Sequence, residues 1–94
     1  MNSQLSQLFH ALSDETRRKI IENIALGDCC SCTLINQVHI AQPTLSYHLK
    51  ILSESGLTTA EKRGVWRAHH LNRDEIDQMI SYLHNLKDSI VSHD

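Results

Sequence analysis

The sequence predicts a mainly α-helical domain with one small β-hairpin, and three observations carry that expectation. Apolar residues recur at helical spacing in five separate stretches. A proline and a glycine punctuate the most informative of these, Pro43 at its start and Gly56 at its end. Two short runs, 57–62 and 65–71, then read as strands on either side of a turn near Arg63-Gly64.

Taken in order, Leu5, Leu8, Phe9 and Leu12 stripe a first helix over 3–12, too narrow to stand alone. Ser13 is the expected N-cap of a second helix, with Asp14 and Glu15 in the first turn where the helix dipole favours acids. Its apolar residues are Ile20, Ile21, Ile24 and Leu26, and Gly27 ends it. Arg17, Arg18 and Lys19 are expected outside, as a solvated face or, alternatively, against a DNA backbone. A short third helix over 32–38 packs through Leu34, Ile35 and Val38, and His39-Ile40-Ala41 turns into the fourth.

In the fourth stretch Leu45, Leu49 and Leu52 make an inward stripe, while Gln42, Thr44, Ser46, Tyr47, His48 and Lys50 lie mostly off it. Two helices joined by a short turn, the second displaying hydrogen-bonding side chains, make a helix-turn-helix whose outer face suits base edges and phosphates in a major groove. The hairpin that follows is the wing of a winged helix, and Lys62, Arg63 and Arg67 are placed to meet phosphates or a minor groove. Trp66 is expected to pack beneath it. In the last stretch Ile76, Met79, Ile80, Leu83, Leu86 and Ile90 hold an apolar stripe longer than the domain can cover. The expected architecture is therefore five helices plus a two-stranded wing in one domain spanning 1–94. Leu5, Leu8, Phe9, Ile76, Met79, Ile80, Leu83 and Leu86 are expected at a homodimer contact that offers two recognition helices to double-stranded operator DNA.

Total charge does not announce a DNA partner, for nine basic residues face eleven acidic ones. Their distribution says more: the segment 42–70 is basic and the tail from Leu71 acidic, as expected when one surface meets phosphate and another does not. No apolar run reaches membrane-span length and the start is not a signal peptide, so a cytoplasmic protein without a membrane partner is expected. All three cysteines fall in Cys29-Cys30-Ser31-Cys32, too close together for a secreted disulfide framework and suited to metal or redox chemistry.

These residues resemble the ArsR/SmtB winged-helix repressors. Ala11-Leu12-Ser13-Asp14-Glu15-Thr16-Arg17-Arg18 is similar to the family's opening signature, and Gln42-Pro43-Thr44-Leu45-Ser46-Tyr47-His48-Leu49-Lys50 to its recognition helix. Glu54-Ser55-Gly56-Leu57 and Gly64-Val65-Trp66 match the helix exit and the wing. The resemblance implies a homodimeric repressor, not an enzyme, that needs no cofactor to bind its operator and releases it when a metal or metalloid binds. The arsenic-responsive branch is the most similar, for it carries Cys-x-Cys at the start of the third helix, matched by Cys30-Ser31-Cys32. Three positions depart from the pattern: Ile35 stands where a further Cys is common, Ala41 where Ser precedes Gln-Pro, and His69 where the wing has Tyr.

Soft thiolates suit trivalent arsenic or antimony, or another thiophilic ion, and the expected ligands are Cys29, Cys30 and Cys32. On a regular helix Cys30 and Cys32 would project to nearly opposite sides, so sharing an ion requires the helix start to unwind or to lie in the loop. Redox or persulfide chemistry of the same thiols is the nearest alternative. A repressor with no ligand, a small thiol enzyme and a protein-binding winged helix are the remaining ones. Asp74, Asp77, His84 and Asp88 on the last helix are read as a solvated face rather than a zinc site, and the other histidines, His93 among them, form no ligand set.

Overall fold

The computed structural model describes residues 3–27 and 30–91, Trp66 by its backbone only. Five helices and one hairpin follow in the order α1 (Ser3–Leu12), α2 (Glu15–Ala25), α3 (Ser31–Val38), α4 (Gln42–Glu54), β1 (Thr58–Arg63), β2 (Trp66–Leu71) and α5 (Arg73–Asp88). The expected packing of Trp66 and the placement of Cys29 and His93 lie outside the described residues.

The core is built by leucines and isoleucines from every helix of the first half. Leu8, Ile20, Leu34, Leu45, Leu52 and Leu57 are essentially sealed from solvent and form one cluster with Met79. Burying each such side chain contributes about 2 kcal/mol. This single cluster sets the angle of α4, whose stripe of Leu45, Leu49 and Leu52 faces it as expected.

Several element boundaries differ from expectation for local reasons. The N-cap of α2 is Asp14 rather than Ser13: the Asp14 carboxylate accepts the Arg17 backbone N–H at 3.0 Å, while Ser13 Oγ turns back to donate to the His10 carbonyl. Leu26, expected on the apolar face of α2, is its C-cap and 82% exposed. The α3–α4 turn is made by His39, which takes φ 60° and donates its backbone N–H to the Ile35 carbonyl. The helix α4 then starts without a side-chain cap, with Ala41 extended and Pro43 in the first turn. It ends at Gly56, whose φ of 87° suits a residue without Cβ. A Cβ there would also stand 3.2 Å from Gln4 Nε2, the group that donates to Glu75 of α5.

The hairpin is antiparallel, pairing Thr58 with Leu71 through Arg63 with Trp66. Gly64 takes φ 63° at the first of its two turn positions, as primed hairpin turns require. Among the described residues the outer edge of β2 is joined where Cys30 pairs antiparallel with Ala68.

Asn72 caps α5, which packs on α1 through Ile76 and Met79 and through a tilted Phe9–Tyr82 ring contact at 5.8 Å. Two residues expected at a dimer contact are instead interior: Leu8 is wholly buried and Met79 only 6% exposed. Both lie at the α1–α5 seam, which the chain closes by itself. Leu5, Phe9 and Ile76 are half-buried against the same core, whereas Ile80, Leu83 and Leu86 are more than half exposed. No helix among the described residues is long and apolar enough to cross a membrane.

Candidate nucleic-acid interface and thiol site

The packing of α4 on Leu45, Leu49 and Leu52 turns Gln42, Thr44, Ser46, Tyr47 and Lys50 to the surface. Tyr47 is 61% exposed, a large amphipathic side chain with no core role. Eight of the nine residues expected to meet DNA are thus on the outside, for Lys62, Arg63 and Arg67 of the hairpin are exposed too.

The ninth, His48, is a correction: it is buried, at 8% exposure. Its Nδ1 lies 3.2 Å from Arg17 Nη1, and because a guanidinium only donates, Nδ1 is the acceptor. Arg17, expected on a solvated face, is likewise interior, and its other donors reach the Ala11 and His10 carbonyls at 2.9 and 3.1 Å. Those carbonyls belong to the end of α1, where no intrahelical partner exists. One guanidinium therefore ties the end of α1, the start of α2 and the middle of α4 together. Spacing gave the signal: Arg17 precedes Ile20 and Ile24 by three and seven residues, and His48 stands three after Leu45 and four before Leu52.

On the hairpin, register sorts the charges by face. Lys62 is directly opposite Arg67, and Ala60 opposite His69, so all four share the face turned to α4. Like charges directly opposed repel, which an intervening anion relieves. Arg63 is on the other face and engaged: its Nε donates to Glu61 Oε1 at 3.0 Å, and His70 Nε2 lies 3.1 Å from the same oxygen. Arg63, then His70, hold the Glu61 carboxyl below its ordinary range.

Cys30 is the N-cap of α3, with extended backbone at φ −88° and ψ 135°. It therefore lies before the helix, which removes the opposite-sides obstacle that a regular helix would impose. Cys30 and Cys32 are joined as a disulfide with their Cα atoms 5.4 Å apart. Cys32 is exposed and Cys30 half-buried. Because Cys30 also pairs with Ala68, the thiol turn is attached directly to the hairpin strand that carries Arg67 and His69. Among the described residues no three His, Cys, Asp or Glu side chains converge, and on α5 His84 and Asp88 make only an exposed pair at 3.4 Å.

Comparison with known proteins agrees with this arrangement. A family model described as bacterial regulatory protein, arsR family, matches residues 14–59. An arsenical resistance operon repressor of Staphylococcus aureus is 34% identical over 86 residues, covering 92% of this chain and 83% of that protein. A crystal structure described as an ArsR family transcriptional regulator superposes with a TM-score of 0.84 at 25% identity, over 90% of this chain and 93% of that one. The fold is shared by a winged helix-turn-helix domain from Mycobacterium bovis described as homodimeric, with a TM-score of 0.73 at 19% identity over 97% of this chain and 89% of that one. With α4 outward, a hairpin beside it and these relatives, the chain belongs to the arsR family and is a winged-helix transcriptional regulator, not an enzyme.

Proposed function

We propose that the chain is a cytoplasmic homodimeric repressor that reads double-stranded operator DNA with Gln42, Thr44, Ser46, Tyr47 and Lys50 and clamps phosphates with Lys62, Arg63 and Arg67. The two copies meet through Ile80, Leu83 and Leu86 of α5, backed by Leu5, Phe9 and Ile76. Arsenite or antimonite, or another thiophilic ion, is the inducer, taken by Cys30 and Cys32 as thiolates with Cys29 as third ligand. The ion is a signal and not a resident cofactor. The observation that carries this reading is the double role of Cys30: its sulfur is within bonding reach of that of Cys32, joined to it here as a disulfide that reduction opens to two thiols, while its backbone pairs with Ala68. Drawing the thiols around an ion moves the start of α3, and with it β2 and the cations of the hairpin, away from their DNA-bound register. Relatives described as arsenical resistance operon repressors support the same inducer class.

The disulfide between Cys30 and Cys32 supports a second reading, in which the same turn is switched by oxidation. Two thiols then lose two protons and two electrons to an oxidant such as hydrogen peroxide, which is reduced to two molecules of water.

A mobility-shift titration on a duplex selected from a random pool tests both readings. Reduced protein is expected to bind, and to release the duplex with arsenite or antimonite at lower doses than with cadmium, zinc or peroxide. Cys30→Ser and Cys32→Ser proteins are expected to bind DNA and ignore arsenite. Unchanged arsenite affinity in both would remove the thiol site, and release by peroxide alone would establish the redox reading instead.

A further inference from the structure

Between α4 and the hairpin runs a groove of about 790 Å³, a volume within the range of small-molecule sites. Its lining divides by chemistry. Leu49, Ala60 and Val65 supply apolar wall, and Lys50 and Arg67 supply two cations against the single carboxylate of Glu54. Among the described residues neither Lys50 nor Arg67 is in an ion pair, unlike Arg63 on the opposite face.

His69 also lines the groove, and it is only 6% exposed. Its Nδ1 has no hydrogen-bond partner among the described residues, and neither does Thr58 Oγ1. The register puts these two side chains on the same face of the hairpin, as diagonal neighbours toward α4. Buried polar atoms are partnered in the great majority of cases, so His69, which lines the groove, marks a place where a polar ligand gains a hydrogen bond, while Thr58 lies behind it and outside the groove lining.

We propose that this groove is a second ligand site, taking a small organic acid whose carboxylate meets Lys50 and Arg67 and whose apolar body lies on Leu49, Ala60 and Val65. Gln42, Ser46, Lys50 and Arg67 belong both to the groove and to the DNA-facing set, so acid and duplex exclude one another. This exclusion rests on the DNA-binding reading above, whereas binding of the acid does not. The device is separate from the thiols and works whether or not Cys30 and Cys32 can bind an ion.

The test is an NMR titration of the full reduced chain with benzoate, run beside inorganic phosphate, an anion with no apolar body. Benzoate is expected to shift the Leu49 methyl and His69 ring signals along a saturating curve below about 10 mM, the range for a ligand of this size. Phosphate is expected not to do so, and Arg67→Gln is expected to weaken benzoate about tenfold, the worth of one hydrogen bond to a charged group. On a selected duplex, benzoate at about ten times its own Kd should raise the apparent Kd for DNA about tenfold by mass action. The same release is expected from Cys32→Ser protein.

The absence of a saturating shift, a shift centred away from the groove, or an equal response to phosphate overturns the site. Benzoate bound in the groove with DNA affinity unchanged overturns the exclusion. A saturating shift in the groove of a protein that binds no duplex upholds the acid site and sinks the regulator reading instead.

Discussion

Arg17 Nη1 stands 3.2 Å from His48 Nδ1, a buried contact that locks the recognition helix to the junction of α1 and α2. Truncating Arg17 to Ala leaves the Ala11 carbonyl and the His48 ring without their donor, while the His10 carbonyl keeps the Ser13 hydroxyl and backbone N–H. The expected loss is about 3 kcal/mol, read as a lower urea midpoint with an unchanged slope. Arg17→Lys is expected to recover little of it, because one ammonium cannot span three acceptors set at different angles.

Burial first, then the charges of Arg67 and His70, hold the His69 ring below its ordinary value of 6.5. The unfolded chain therefore takes up this proton before the folded one does. The stabilisation from a neutral His69 is complete above about pH 6.5 and is lost as pH falls from there through the lowered folded value. Urea midpoints taken between about pH 7.5 and pH 5 should decline less steeply in His69→Phe than in the unaltered protein. Asp14 and Glu61, whose carboxyls are held low by the Arg17 backbone N–H and by Arg63 respectively, lose their contributions only at more acid pH.

Leu83 is 53% exposed on α5 while Met79, one turn earlier, is buried. Leu83→Glu should therefore yield a folded monomer by sedimentation, with operator affinity reduced by loss of the second half-site. Met79→Ala should lower stability by about 2 to 3 kcal/mol, the ordinary cost of a truncated core side chain. If Leu83→Glu remains dimeric, the contact between copies lies elsewhere.

Lys50 and Arg67 sit on either side of the same groove, one from the helix and one from the wing. Replacing either by Gln should weaken DNA binding across sequences and reduce the slope of log affinity against log salt by about one. Arg63→Gln should have a smaller effect, because its guanidinium is already engaged by Glu61.

Which features were legible in the sequence follows from how local their causes are. Pro43 and Gly56 mark the ends of α4 through backbone constraints of their own, and the leucines between them fix its inner face. The hairpin follows from strand-forming runs around a glycine that must take positive φ. Arg17 and His48 are not legible from residue type alone: both lie on apolar stripes, and their polar ends are satisfied by partners remote in the chain. Ser13 and Asp14 are both good caps, and only the phase of the first turn chooses between them. The same holds for Leu8 and Met79, whose stripes show which face is apolar without showing which part of it the chain's own core reaches. At the thiols, the spacing of Cys30 and Cys32 posed a geometric problem that the extended backbone of Cys30 resolves.

The pairing of Cys30 with Ala68, isolated among the described residues, also gives the wing a clock. An amide held by an isolated bridge exchanges its hydrogen as soon as either side lets go, so exchange rates along β2 and at the start of α3 should rise and fall together. Chemistry at a sulfur atom would then be visible in deuterium uptake on the opposite strand, with no nucleic acid in the tube.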